Sequence, residues 1–419
     1  MVDMKLSPVV TTWAFSNELL ARRMSFLSGP RQVGKTTSAL MHLEKLGQIE
    51  HYYNFDTITV RRKFTANPLF FLENIPEPPR PPAAGGEPKH WVVFDEIHKN
   101  PAWKQLLKGF SDEFGHFIRF LVCGSAKLDT YRRGGESLLG RYFLFKMFPL
   151  GPKDVVEGDG FDLTRAWIPG QAPDLSRPSR EFAEAVDSLW NLTGFPEPFL
   201  KGSKSFYRRW LDEHLSLLTT QEVRDLSRIS DLVRLQSLAL LLPERVGSLL
   251  NVHNLAQTLS VAHNTVAVWL DAMEQVFLIF RVPPYSARLS TSIKKARKSY
   301  FWDWGLVEDT GKRFENFLAV QLSRTVSAWN EWGVSGFSLH FVRTKDGKET
   351  DFLIVRNKKP VLLVEAKLSD IEPDRNLLYF KKALDVDLAF QVVLNDDFLK
   401  QAAPGLFVTD IHRFLNLLV

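Results

Sequence analysis

The chain has 419 residues, 45% apolar and 24% charged, with a net charge of +5 and a pI near 9.1. That composition excludes a disordered or fibrous chain and allows two or three domains, each burying its own core. The lone cysteine, Cys123, excludes an internal disulfide; with no signal peptide, no membrane-length apolar run and no internal repeat, it points to a cytoplasmic protein whose basic balance permits contact with nucleic acid.

Met24-Ser25-Phe26-Leu27 reads as a short buried strand, and Thr36 to Leu46 as a helix with apolar residues at Ala39, Leu40, Leu43 and Leu46. Between them runs Gly29-Pro30-Arg31-Gln32-Val33-Gly34-Lys35-Thr36-Thr37. G-x-x-x-x-G-K-T in a strand–loop–helix setting is an ATP-binding loop: backbone N–H groups and the helix N-terminus cradle phosphate, Lys35 bridges the terminal phosphates, and the Thr36 hydroxyl holds Mg²⁺. His51 to Phe55 reads as a second strand and Val60 to Leu72 as helix, followed by an exposed Pro/Gly-rich loop from Pro76 to Gly86. Trp91 to Glu96 is a buried strand ending in two carboxylates. Asp95 is placed to order the Mg²⁺ shell and Glu96 to polarise the attacking water. A strand ending in two acids is common by itself; about sixty residues after the loop, it completes a hydrolytic site.

Phe117 to Cys123 makes a fourth strand, and Ser125 follows it where nucleotide hydrolases of the additional-strand type sense the γ-phosphate. Tyr142 to Met147 makes a fifth, giving a doubly wound parallel sheet. Arg132, Arg133 and Arg141 lie in or beside a glycine-bearing loop and are candidates to reach a neighbouring subunit's γ-phosphate, which implies a homo-oligomer.

The run from Gly29 to Thr37, Val92-Val-Phe-Asp-Glu-Ile-His-Lys99 and Leu121-Val-Cys-Gly-Ser-Ala126 resemble the AAA-type P-loop ATPases of bacteria and archaea that carry a C-terminal nuclease-like domain of unknown function. Leu139-Gly140-Arg141, Phe148-Pro149-Leu150 and Gly194-Phe195-Pro196-Glu197-Pro198 extend the resemblance over nearly the whole chain. It implies a Mg²⁺-dependent ATPase and singles out Arg141 for action in trans. Gly151 departs from it, standing where that family has serine.

Residues 151–306 read as mainly helical, with a Pro-, Gly- and Asp-rich stretch from Asp159 to Ser179. Phe206 to Leu242 is a run of amphipathic helices. Asn254 to Leu270 has a helix–turn–helix rhythm, packed by Leu255, Ala256 and Leu259 and then by Val266, Trp269 and Leu270; with Phe277 to Val282 as wing, the unit reads as a winged helix. The second helix has no Lys or Arg and carries Asp271 and Glu274, a poor charge balance for a major groove, although His263, Asn264 and Thr265 sit at its N-terminal end. Arg288, Lys294, Lys295, Arg297 and Lys298 form the better candidate edge for DNA phosphates.

The last domain starts with a helix, Arg313 to Val326, and three strands: Ser338 to Val342, Thr350 to Val355 and Val361 to Lys367. A second turn over 357–360 sets Asp351 opposite Ala366; a shift of one sets it across from Glu365 or Lys367. Asp351, Glu365-Ala366-Lys367 and Glu315 resemble the PD-(D/E)xK nuclease superfamily, which implies carboxylates binding Mg²⁺ and a lysine stabilising developing charge.

The expected architecture is therefore α/β: a P-loop NTPase core over 1–158, a linker and helical lid over 159–204, a helical region with winged helix over 205–306, and a nuclease-like domain over 307–419. Two functions follow. In one, ATP hydrolysis is coupled to DNA binding or remodelling, with or without cleavage. In the other, the ATPase is a signalling or regulatory switch whose winged helix and C-terminal domain bind proteins.

Overall fold

The computed structural model describes residues 6–75, 88, 90–124, 138–226, 229, 231–286, 296–394 and 397–419. The chain divides into two units: Met1–Phe148 with Gly158–Gly160, and Pro149–Glu157 with Phe161–Val419.

The first unit is built on five parallel strands: β1 (Met24–Ser28), β2 (Tyr52–Asn54), β3 (His90–Asp95), β4 (Ile118–Cys123) and β5 (Tyr142–Lys146), in the order β2-β3-β4-β1-β5. β1 and β4 are buried at every position and β3 at all but its first, as the continuous apolar runs require of strands covered on both faces. Helices Lys35–Lys45, Ile58–Ala66 and Trp103–Phe114 make the crossovers. One face is packed with aromatics: Phe94 stacks on Phe120 at 5.9 Å, and Phe71 meets Phe94 edge-on at 5.5 Å. Because the strands are parallel, all their C-terminal ends lie along one edge of the sheet. β4 lies between β1 and β3, so the strand carrying Asp95 is one strand removed from the one feeding the glycine loop.

In the second unit the stretch from Phe161 to Ser179 has only a short 3-10 turn, yet it is not loose. The Trp167 ring packs on Trp329 at 6.2 Å and its carbonyl accepts from Trp329 Nε1 (3.0 Å). Gly151 lies against the long helix Thr310–Glu331: a Cβ there would stand 2.8 Å from both Arg324 Nη2 and Gln321 Oε1, so a serine would require those side-chain ends to shift. Helices Val252–Leu259 and His263–Gln275 meet at Ser260 (φ 52°) and are followed by an antiparallel pair, β6 (Ile279–Val282) and β7 (Lys298–Phe301).

The six-stranded sheet of this unit holds β8 (Phe337–Arg343), β9 (Glu349–Arg356), β10 (Lys359–Lys367), β11 (Leu388–Val393), β12 (Leu399–Ala403) and β13 (Leu406–Asp410), in the order β12-β13-β11-β10-β9-β8. The expected register needs correcting. The β9–β10 turn is the two residues Asn357 and Lys358, both with positive φ (49° and 69°), so Arg356 faces Lys359. A shift between Pro360 and Leu362 then moves the register by one, and Val364 faces Phe352. One step further, Asp351 faces Glu365 rather than Ala366. Among the described residues no helix is long and apolar enough to cross a membrane.

Candidate functional site

The phosphate loop leaves the end of β1 through two glycines that no other residue replaces easily. At Gly29 (φ 151°) a Cβ would stand 2.0 Å from the Met147 carbonyl oxygen. Gly34 (φ 99°) is the N-cap of Lys35–Lys45 and offers no capping side chain, so the first N–H groups of the helix have no side-chain acceptor there. The Lys35 ammonium is buried and donates to the Gly29 and Pro30 carbonyls at 2.9 and 2.6 Å. Thr36 Oγ1 donates to Asp95 Oδ2 at 2.7 Å, and Tyr52, the first residue of β2, donates to the same oxygen at 2.7 Å. Burial first, then the Asp95 charge, raises the Tyr52 phenol above its ordinary range, so it stays a donor. A hydroxyl beside a carboxylate, both hard oxygen donors, fits Mg²⁺, which takes the rest of its shell from phosphate and water.

Glu96 follows Asp95 in a left-handed conformation (φ 57°), a strained setting that turns its carboxylate away from the strand. Burial, reinforced by the Asp95 charge, pushes its carboxyl up to about 7 against the pull of Lys35 and Lys99. The His98 imidazole lies 3.4 Å from its Oε2. Arg141 lies at the other end of the sheet, where β5 begins; its backbone oxygen accepts from Met24 N, and its guanidinium pairs in two-pronged fashion with Asp112 at 2.7 and 3.1 Å. Ser125, Arg132 and Arg133 fall outside the described residues, as does the Pro/Gly-rich loop from Pro76 to Gly86.

In the second unit, Asp351, Glu365, Lys367 and Glu315 do come together, but around a residue expected elsewhere. The basic run in the sequence puts Lys298 with Arg288, Lys294, Lys295 and Arg297 on a DNA-facing edge. Instead it is 1% exposed, with its ammonium 2.7 Å from Glu349 Oε1, 3.1 Å from Glu315 Oε1 and 3.3 Å from Asp351 Oδ1. Burial works to lower its pKa; Glu315, Asp351 and Glu349 outweigh that and hold it above the lysine range. Tyr300 donates to Glu315 Oε1 at 2.7 Å. The other Asp351 oxygen accepts from Ala366 N (3.0 Å), and Glu365 Oε2 accepts from Asp351 N (3.2 Å). Lys367 reaches Glu365 at 2.9 Å and Asp374 at 3.0 Å. Burial and then Asp351 push Glu315 up to about 7 and Glu365 up to about 8. Of the expected basic edge, Arg297 is half-buried, and Arg288, Lys294 and Lys295 lie outside the described residues.

Comparison with known proteins divides the chain in a similar way. Residues 21–155 match the AAA domain family. Nearly all of that matching segment lies in the first unit. Residues 183–313 and 310–412 match two domains of unknown function, DUF8612 and DUF4143. An uncharacterised Mycobacterium tuberculosis protein is 24% identical over 355 residues, 80% of this chain and 68% of that protein. An uncharacterised Haemophilus influenzae protein is 23% identical over 377 residues, 85% of this chain and 86% of its own length. Among solved structures, the Aeropyrum pernix ORC1 protein in complex with DNA aligns at 14% identity and TM-score 0.30, over 77% of this chain and 97% of that one. So loose a structural likeness carries no argument.

Sequence reasoning missed Tyr52, Glu349 and Asp374 as members of these sites. Tyr52 was within reach, since it opens the strand paired with β3. Glu349 and Asp374 were not, because each reaches its site through sheet pairing and helix capping that local pattern does not specify.

Proposed function

We propose that the chain is a Mg²⁺-dependent ATPase that works as an assembly of copies and is coupled to DNA through its second unit. The observation that carries the ATPase reading is the Thr36–Asp95 pair beside a half-buried Glu96, its carboxyl pushed up to about 7 by desolvation and the Asp95 charge. Lys35 exchanges its carbonyl partners for the terminal phosphates of ATP. Thr36 and Asp95 are the residues that would hold Mg²⁺, and the metal, when bound, neutralises phosphate charge. Glu96 orients the attacking water and accepts its proton, a role suited by a pKa near the working pH. On sequence position, we assign γ-phosphate sensing to Ser125. Arg141 is a strand's length from its own chain's phosphate loop and paired with Asp112. We assign it to a neighbouring copy's site, and with it the oligomer.

For DNA, the two short helices with β6 and β7 support a winged-helix reading. Beside them is a cleft of about 590 Å³ whose polar lining includes Asn251, His253, His263 and Arg297. Arg281 also lines it, but Asp271 and Glu274 already neutralise its guanidinium. The constellation of Asp351, Glu365, Lys367 and Glu315 supports kinship with PD-(D/E)xK nucleases. Its carboxylates do not fit a metal as they stand, because a lysine ammonium occupies their centre, and we propose no cleavage step. The test is ATP turnover with single-stranded, duplex and branched DNA across salt concentrations, beside a native mass measurement. Stimulation that fades with salt is expected. Turnover indifferent to every DNA form would refute the DNA coupling and favour the protein-binding switch.

A further inference from the structure

We infer that the Lys298 ammonium is the resident cation of the carboxylate cluster, at the position a divalent metal would need. The C-terminal region is then a metal-independent, non-cleaving module latched to the β6–β7 hairpin. Three carboxylates from two elements converge on one nitrogen: Glu315 from the long helix, and Glu349 and Asp351 from β9. The remaining contacts leave little for a metal. Both Asp351 Oδ2 and Glu365 Oε2 are turned onto backbone N–H groups, and Glu365 Oε1 is held by Lys367. Among the described residues, no group of three or more His, Cys, Asp or Glu side chains has the arrangement to hold a metal ion.

The lysine is not a loose surface chain folded inward. Its strand is pinned on both sides. Asn316, fully buried, accepts from Phe301 N and donates to Phe301 O, both at 2.8 Å, while Leu250 N donates to Arg297 O at 3.0 Å. Beyond β6, Tyr285 N donates to Phe341 O and Phe341 N to Pro283 O, which ties the hairpin to β8. Withdrawing Lys298 to admit a metal would mean stripping a buried ammonium of three carboxylate partners on a strand whose backbone cannot follow it, a costly exchange in a buried site. The approach to Glu315 is narrowed on one side. The Gly247 backbone packs on it so tightly that a Cβ there would stand 2.3 Å from Glu315 Oε2. Lys298 lies in the segment matching DUF8612 and its carboxylates in the segment matching DUF4143, so one ammonium joins the two.

The test uses the full chain without nucleotide, with Mn²⁺ as probe. Wild type and Asp351→Asn should show the same melting shift with Mn²⁺, and wild type should leave duplex DNA intact with Mg²⁺ or Mn²⁺. Lys298→Met, which keeps the volume but removes the charge, should melt about 5–10 °C lower. Mn²⁺ should restore several degrees only while Asp351 is present. Mn²⁺ stabilising wild type but not Asp351→Asn, or wild type nicking DNA where Lys367→Ala does not, would overturn the inference. Absence of Mn²⁺ rescue in a soluble Lys298→Met would count against it equally. Should that variant not fold, the comparison of wild type with Asp351→Asn still decides.

Discussion

Arg141 offers the most informative perturbation, because its position makes a prediction about two chains at once. β5 runs five residues from Tyr142 to Lys146, paired in register with Met24 to Ser28, and the phosphate loop begins one residue later. At ~3.3 Å per residue that is roughly 16 Å of sheet between Arg141 and its own loop. A transition-state arginine is worth a factor of roughly a thousand or more, about 4 kcal/mol at 1.36 kcal/mol per decade. Arg141→Ala should therefore lose at least that much turnover while binding ATP normally; its exposed pair with Asp112 contributes little to folding. Glu96→Gln should be as inactive for a different reason. Mixed in equal amounts and allowed to exchange, a site works when its own chain keeps Glu96 and its neighbour keeps Arg141. Each condition holds half the time, so about a quarter of wild-type turnover should return. Full activity in Arg141→Ala, or no recovery in samples shown by native mass to contain mixed oligomers, would refute the trans assignment.

Four further outcomes follow from the first unit. Turnover should fall as pH drops through about 7, where Glu96 takes up a proton, and this limb should disappear in Glu96→Gln. The same shift acts on stability with its own sign. A folded-state pKa raised from 4.5 to about 7 contributes stability fully present below 4.5 and lost as pH rises through 7, so denaturant midpoints of wild type should fall relative to Glu96→Gln across that window. Gly29→Ala should cost about 1–3 kcal/mol and weaken ATP binding, because its Cβ meets the Met147 carbonyl. Gly109→Ala, in the helix Trp103–Phe114 with nothing within 4 Å of its Cβ, should instead stabilise by up to about 1 kcal/mol, measured by the same denaturant titration.

The candidate nucleotide site could be laid out from the sequence because its residues are local. Gly29 to Thr37 lies on one loop and one helix turn, and Asp95-Glu96 closes a single strand, so spacing alone identifies them. The sheet order was not legible, since inserting β4 between β1 and β3 is decided by long crossovers. In the second unit the long helix and the β8–β10 strands followed from periodicity and the Asp346-Gly347 turn. The register of Asp351 stayed open by one residue because two non-glycine residues, Asn357 and Lys358, adopt the positive φ of a tight turn and a shift follows at Val361. Lys298 is the sharpest failure. A lysine in a basic run is usually a solvated one, and only the pinning of β7 by Asn316, together with Glu349 and Asp351 some fifty residues downstream, shows that this one is buried.

The central claim, that the first unit hydrolyses ATP through Glu96, is tested most directly by measuring phosphate release and ATP binding on the same preparations of wild type and Glu96→Gln with Mg²⁺. Both proteins should bind ATP with similar affinity, and turnover should drop by about 10²–10⁴-fold in the variant. A wild type that binds ATP but releases no phosphate, or a Glu96→Gln that turns over at the wild-type rate, would contradict it.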